Sequence, residues 1–303
     1  MYNKIFLGKG NEMYKILSKC YLTDNIIKME VEAKRTADSC LPGQFVIVRA
    51  SKDGERIPLT ICDYDREKGT IVLVFQVVGA STAVMAELKE GDSFQDIVGP
   101  LGRPSELCEM DIEELKKLKI VFIAGGVGTA PVYPQVKWLK EQGIASDVII
   151  GARNKDLVIL EDDFKSVSDN VYVTTDDGSY GRNGNVCVCL QSLIDEGKTY
   201  DKCVAIGPLI MMKFAVNLTK QLNIPTIVSM NPIMVDGTGM CGACRVHVGD
   251  EIKFACIDGP EFDGWLVDFD ESMRRQTMYK TEEGRKMLEL QEGATHHGGC
   301  GHC

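Results

Sequence analysis

The run Asp236-Gly237-Thr238-Gly239-Met240-Cys241-Gly242-Ala243-Cys244, with Cys256 beyond it, concentrates ligand-type side chains in the 303-residue chain. Four residues separate Asp236 from Cys241, two separate Cys241 from Cys244, and eleven separate Cys244 from Cys256. That is the spacing of a plant-type [2Fe–2S] loop, with Asp in the first position where Cys is usual. Zinc is the competing use of such donors, but structural zinc sites pair two close ligands with two more close ligands. Here three donors crowd one glycine-rich loop and the fourth stands alone, which suits a two-iron cluster. Gly237, Gly239 and Gly242 let the loop wrap closely. As a ligand, Asp236 would be a harder donor than thiolate and would change the cluster's potential. The other role open to it is to cap the loop. A two-iron centre moves single electrons, so the remaining sequence must hold what feeds it.

A second candidate is Ala124-Gly125-Gly126-Val127-Gly128-Thr129-Ala130-Pro131. Glycines bring backbone close to a pyrophosphate, and a helix N-terminus offers free N–H groups and partial positive charge. Pro131 stands where a Rossmann turn has its third Gly, and proline is tolerated in a first helical turn. A plain strand–helix connection explains this turn equally well when it is taken alone. The strand ends around Arg153, Asp177 and Gly207-Pro208 should gather at the same sheet edge. Arg153 suits a ribose or phosphate, or is a solvated loop cation; Asp177 suits a hydroxyl. Gly207-Pro208 would let a flat nicotinamide approach the main chain.

A third candidate is Arg56-Ile57-Pro58-Leu59-Thr60 together with Gly79-Ala80-Ser81-Thr82. Arg56 at a strand start could neutralise a diphosphate, and Thr60 could hydrogen-bond the edge of a flavin ring. Gly79, Ser81 and Thr82 would donate N–H and O–H groups to the same phosphates. An exposed Arg and a capped helix is the bland alternative.

The elements that must position these residues change grammar along the chain. From Tyr14 to about Val98, short alternating strands such as Ile26–Val31, Phe45–Arg49 and Thr70–Phe75 predict a small antiparallel barrel. After Gly99-Pro100-Leu101-Gly102, strands at 119–124, 147–150, 171–174, 202–206 and 226–229 alternate with helices at 132–141, 188–195 and 209–221. That alternation predicts right-handed βαβ units and a five-stranded parallel sheet. The expected units are a barrel over 13–100, an α/β domain over 101–229, a small cluster domain over 230–270 and a tail over 271–303.

Composition sets outer bounds. An apolar content of 44% and a charged content of 26% are those of an ordinary globular protein. A net charge of −10 argues against nucleic acid or an anionic membrane as partner. No apolar run approaches the about 20 residues that span a bilayer, and the N-terminus lacks a signal peptide's apolar core. The expected location is cytoplasmic. Twelve cysteines in such a setting mean metal or redox chemistry rather than disulfides. Outside the cluster motif and tail, Cys20, Cys40, Cys62, Cys108, Cys187, Cys189 and Cys203 are expected to be ordinary buried thiols. The tail His296-His297-Gly-Gly-Cys300-Gly-His302-Cys303 reads as a second metal site or an adventitious binder. Met13 is an alternative start to Met1.

In order along the chain, the Arg56-to-Thr60 barrel motif, the Gly-Pro-Leu-Gly joint, G-G-x-G-x-x-P, the late Gly-Pro and the C-terminal cluster loop resemble ferredoxin reductase-like flavoproteins. The resemblance covers about residues 13–275. It is most similar to the branch holding the dihydroorotate dehydrogenase electron-transfer subunit, the sulfide dehydrogenase β-type subunit and the small subunit of NADH-dependent reduced ferredoxin:NADP+ oxidoreductase, an electron-bifurcating enzyme. Dihydroorotate partners carry Cys at the first cluster position and Cys-Gly-Pro late in the sheet; Asp236 and Ile206-Gly207-Pro208 depart from that and favour the other members. The resemblance implies FAD held by Arg56, Pro58, Leu59, Thr60, Gly79, Ser81 and Thr82. It implies NAD(H) at Gly125, Gly126, Gly128, Thr129, Pro131, Arg153, Asp177, Gly207 and Pro208, and a [2Fe–2S] cluster on Asp236, Cys241, Cys244 and Cys256. It also implies a heterodimer with a larger flavoprotein subunit carrying FAD and [4Fe–4S] clusters, with ferredoxin reached indirectly. No acid–base triad is needed. A redox-inactive scaffolding subunit is the rival class, against which the complete ligand set argues.

Overall fold

The structure is a computed structural model, and it describes residues 14–296; Met13 and the residues after His296 lie outside them. Seven strands make the first unit: β1 (Tyr14–Thr23), β2 (Ile26–Glu32), β3 (Phe45–Arg49), β4 (Ile57–Asp65), β5 (Thr70–Gln76), β6 (Ser93–Phe94) and β7 (Asp96–Leu101). Their order is β6-β1-β2-β5-β4-β3-β7, with every pairing antiparallel. The two edge strands are separated only by Gln95, whose N–H donates to the Arg49 carbonyl, so the sheet curls into a nearly closed barrel. Alternation sets the inside. On β2, Ile27, Met29 and Val31 are fully buried while Lys28, Glu30 and Glu32 face outward. Two helices join strands, α1 (Lys34–Ser39) and α2 (Ala80–Glu87).

The second unit begins with the short helices α3 (Glu106–Glu109) and α4 (Ile112–Leu115). Its strands are β8 (Ile120–Gly125), β9 (Ser146–Ala152), β10 (Asn170–Thr175), β11 (Arg182–Asn183), β12 (Lys202–Ile206) and β13 (Thr226–Ser229). Its helices are α5 (Thr129–Glu141), α6 (Glu161–Val167), α7 (Val186–Asp195) and α8 (Leu209–Gln221). The last unit holds a hairpin, β14 (Arg245–Val248) with β15 (Glu251–Phe254), then β16 (Glu261–Asp263), α9 (Phe269–Arg275) and α10 (Lys280–His296).

The large sheet runs β11-β10-β9-β8-β12-β13-β16. The five expected parallel strands are all present, and two edges extend them: the two-residue β11, parallel, and β16, antiparallel on β13. Neither edge strand is long enough to show a period in the sequence. Side chains alternate between two cores. Phe122, Val148 and Val204 face Val132, Val136 and Phe164 of α5 and α6; Val121, Ile149 and Cys203 face Leu190, Met212 and Val216 of α7 and α8. The chain therefore winds on both faces, and its order reverses between β8 and β12.

Strand β3 is buried on both sides. Val46 and Val48 point into the barrel core, whereas Phe45 and Ile47 join the core that holds Cys244, Val246, Ala255 and Cys256. The C-terminal unit is thus packed on the outside of the barrel. Cys20 departs from its expected burial: β1 buries only Ile16, and Cys20 is exposed. Cys108 and Cys187 are half-buried, and the other four scattered thiols are buried.

A polar contact ties all three units, because the Ser105 N–H also donates to the Pro42 carbonyl of the barrel at 2.7 Å. Glu261 on β16 meets Ser105, which follows β7, and Gln135 of α5. Ser105 Oγ lies 2.8 Å from Glu261 Oε2 and 3.1 Å from Gln135 Oε1, and Gln135 Nε2 donates to Glu261 Oε1 at 2.6 Å. An ionised Glu261 leaves two protons for three contacts; a protonated one supplies a third and closes the ring. Ser105 is 0% and Gln135 1% exposed. Burial pushes the Glu261 carboxyl up to about 7, against the two hydrogen bonds, which pull it down; the Glu106 charge adds to the rise.

A raised carboxyl pKa means that the folded chain binds the proton more tightly than the unfolded chain. The stability this gives is complete below the ordinary value of 4.5 and declines as pH rises through about 7. We expect urea unfolding at pH 5 and pH 8 to differ by up to about 3 kcal/mol from this group. Glu261→Gln, neutral throughout, should flatten that difference; an unaltered slope in the variant would show that Glu261 is not its source.

Candidate functional site

The carboxyl edge of the parallel sheet carries the glycine turn. Parallel register sets Gly125 beside Gly151, Ala124 beside Ile206, and Thr175 beside Ala152, so the three strand-end segments come to one edge as expected. Gly126–Gly128 form one turn of 3-10 helix leading into α5, with Pro131 in its first turn. The barrel abuts this edge: β5 lies against the glycine turn and β4 against α5.

The glycines divide by what surrounds them. A Cβ on Gly128 would lie 2.6 Å from the Ile206 carbonyl, and one on Gly125 would lie 2.2 Å from Met211 Sδ. A Cβ on Gly207 would lie 2.7 Å from Met211 Cε. These three let β8, β12 and α8 close on one another beside Pro208. Gly126 differs, with φ +56° and nothing within 4 Å of a Cβ, so its backbone is the part of the turn open to a ligand. Thr129 is buried, and its hydroxyl donates to the Gly126 carbonyl at 2.7 Å, fixing the turn from inside.

Arg153 and Asp177 are exposed neighbours, joined by the Asp177 N–H donating to the Arg153 carbonyl at 3.2 Å. Asp177 Oδ1 accepts the Ser179 hydroxyl at 2.7 Å and its N–H at 2.9 Å. The Ser179 hydroxyl, above all, holds the Asp177 carboxyl below the ordinary carboxylate range.

In the barrel, Pro58, Leu59 and Thr60 pair with Ile47, Val46 and Phe45 of β3. Gly79 caps α2 in extended backbone, with open space where a Cβ would stand. Thr82 Oγ1 accepts the N–H groups of Val78 at 3.0 Å and Gly79 at 3.1 Å, so its hydroxyl caps its own helix. The Ser81 hydroxyl donates to Glu55. Arg56, expected near a diphosphate, reaches the cluster loop: Nε donates to the Val235 carbonyl and an Nη to the Asp236 carbonyl, each at 3.2 Å. The spacing of Arg56 and Asp236 in sequence gives no sign of this contact.

The loop after Met234 sits directly on the barrel. Gly237, at φ +77°, is so close that a Cβ would lie 2.5 Å from Ile47 and 2.9 Å from Leu101. Gly239 and Gly242 also have positive φ. Cys244 and Cys256 are buried with their sulfurs 3.2 Å apart, and Cys241 is exposed. Burial first, then the neighbouring Cys244 sulfur, pushes the Cys256 thiol up to about 12. A metal would have to replace that proton. Asp236 accepts the Thr238 N–H at 3.0 Å and the Cys241 N–H at 3.1 Å, and the Thr238 contact leads in holding its carboxyl below the usual range. It therefore caps the loop and lies beside Cys241. Among the described residues no three Cys, His, Asp or Glu side chains converge as a metal-holding group. The structure brings Cys244 and Cys256 together as a buried, unbridged thiol pair, and Asp236 with Cys241 as a second pair in the loop; the donor types fit an iron–sulfur cluster. His247 lies on β14 and pairs with Glu271.

Residues 231–268 match the model of the iron–sulfur cluster binding domain of dihydroorotate dehydrogenase B. A dihydroorotate dehydrogenase B (NAD(+)) electron transfer subunit homolog of Thermotoga maritima is 44% identical over 274 residues, covering 90% of this chain and 94% of that protein. The chain belongs to this electron-transfer subunit family. An uncharacterized protein of Clostridium beijerinckii is 63% identical, covering 95% of this chain and 98% of its own length. A solved chain of NADH-dependent reduced ferredoxin-NADP oxidoreductase, studied for flavin-based electron bifurcation, superposes with a TM-score of 0.84 at 40% identity, covering 93% of this chain and 99% of that one. The family fold, a ferredoxin-reductase-like barrel and α/β pair with a cluster domain, is that described above. No helix among the described residues is long and apolar enough to cross a membrane.

The glycine environments make opposite expectations for two substitutions. Gly237→Ala should cost about 1–3 kcal/mol, from left-handed backbone and overpacking against Ile47. Gly79→Ala, in extended backbone and open space, should stay within about 0.5 kcal/mol of the parent. Denaturant unfolding of both variants checks this, and equal losses would refute the packing of the loop on the barrel.

Proposed function

We propose that this chain is the NAD(H)-, FAD- and [2Fe–2S]-bearing electron-transfer subunit of an NADH-dependent reduced ferredoxin:NADP+ oxidoreductase of the electron-bifurcating kind. The observation that carries the reading is the seating of the 236–242 loop on the barrel strand beside Thr60, with Arg56 joining the two. A two-electron site and a one-electron site are thereby held on one rigid support. In this reading Arg56, Pro58, Leu59, Thr60, Gly79, Ser81 and Thr82 surround FAD. Gly125, Gly126, Gly128, Thr129, Pro131, Arg153, Asp177, Gly207 and Pro208 form the nucleotide edge, where Gly126 offers open backbone and the α5 N-terminus offers N–H groups to phosphate. Asp236, Cys241, Cys244 and Cys256 hold the cluster. Bound flavin supplies the conversion between hydride and single-electron chemistry. The chain's own part is to align nicotinamide at the β8–β12 edge, keep water out, and hold the cluster loop fixed.

The partner in this reading is a larger flavoprotein with FAD and [4Fe–4S] centres, forming a heterodimer in the cytoplasm and standing between this chain and ferredoxin. A dihydroorotate-linked subunit and a sulfide dehydrogenase subunit are the other readings within the family. Asp236 and Ile206 support the oxidoreductase over the dihydroorotate enzyme.

Anaerobically purified protein should show flavin absorbance with a broad cluster shoulder, and both should bleach on adding NADH. Colourless protein, or iron that stays oxidised, would end the proposal. Asp236→Cys should keep a cluster while shifting its potential and EPR signal. Identical spectra and potential would leave Asp236 as the loop cap alone.

A further inference from the structure

Arg56 is exposed, yet two of its donors are committed to main-chain carbonyls about 180 positions away in sequence. A guanidinium carries five N–H donors in a rigid plane, so three remain. None of the ion pairs among the described residues includes Arg56. The neighbouring residue, Glu55, touches Ser81 in the first turn of α2, the helix that Gly79 caps with open space where a Cβ would stand. The Gly79 N–H is itself taken by Thr82 Oγ1, so what Arg56 brings to this end of the barrel is its unpaired charge. On the other side, the loop that Arg56 holds has three glycines at positive φ, Gly237, Gly239 and Gly242, and needs tethering to keep one shape.

We propose that Arg56 is a positioning residue that couples the two redox sites: one edge of its fork holds the Val235 and Asp236 carbonyls, and the other takes the diphosphate of the dinucleotide flavin. Filling the barrel site then stiffens the cluster loop through a single side chain. This rests on the reading that FAD occupies the barrel. Lysine in place of Arg56 keeps the charge but, as a point charge, cannot grip two carbonyls and a diphosphate together.

The test is hydrogen exchange of the 235–242 segment in the full chain, as purified and after removal of FAD, alongside FAD titration. In the parent chain, FAD should slow exchange of this segment by about tenfold or more, the scale of one charge-assisted hydrogen bond. Arg56→Lys should still bind FAD, yet lose that slowing at saturating flavin; equal slowing in the variant overturns the coupling. Arg56→Ala should bind FAD more weakly. Unchanged affinity there would remove Arg56 from the diphosphate and overturn the proposal at its other end. If the parent chain bound no FAD, the functional reading itself would fall.

Discussion

The architecture depends on the closeness of a glycine-rich loop to the outside of a barrel strand. Gly237 presses on Ile47 and Leu101 so tightly that no side chain fits, and Phe45 and Ile47 share a core with Cys244 and Cys256. A strand with one face in the barrel and the other under the cluster unit transmits position between them without a flexible joint. Electron exchange between two groups requires that their supports not drift apart. Close packing supplies this, because interiors at crystal-like density do not deform continuously.

The same principle operates at the carboxyl edge of the parallel sheet. Gly125, Gly128 and Gly207 serve the protein's own packing, bringing β8, β12 and α8 together, while Gly126 faces open space. Thr82 and Thr129 spend their hydroxyls on the turns they belong to. The site is therefore shaped largely by residues that secure the backbone, leaving N–H groups and open main chain to meet a ligand. Glu261, Ser105 and Gln135 perform the corresponding task at the meeting point of all three units, with side-chain hydrogen bonds in place of a glycine contact.

Much of this was legible in the residues. Alternating strands gave the barrel, strand–helix alternation gave the parallel sheet, and motif order gave the family. The short edge strands β11 and β16 were not legible, because two or three residues show no period. Nor was the exposure of Cys20, since a strand's outward face cannot be told from its inward one when little packs on it. Asp236 could be read as ligand or cap from its chemistry, and the structure shows the capping contacts to Thr238 and Cys241.

By itself the sequence determined the spacing of ligand-type side chains from Asp236 to Cys256, the glycines of the turn and the alternation of both sheets, because these are local properties of spacing and side-chain type. Only the tertiary structure decided that Arg56 meets the loop at Val235 and Asp236, that Glu261 is enclosed by Ser105 and Gln135, and which glycines face open space. Those contacts join residues far apart in the chain. No local period records them, and they exist only once buried faces from separate units have been forced together to exclude water.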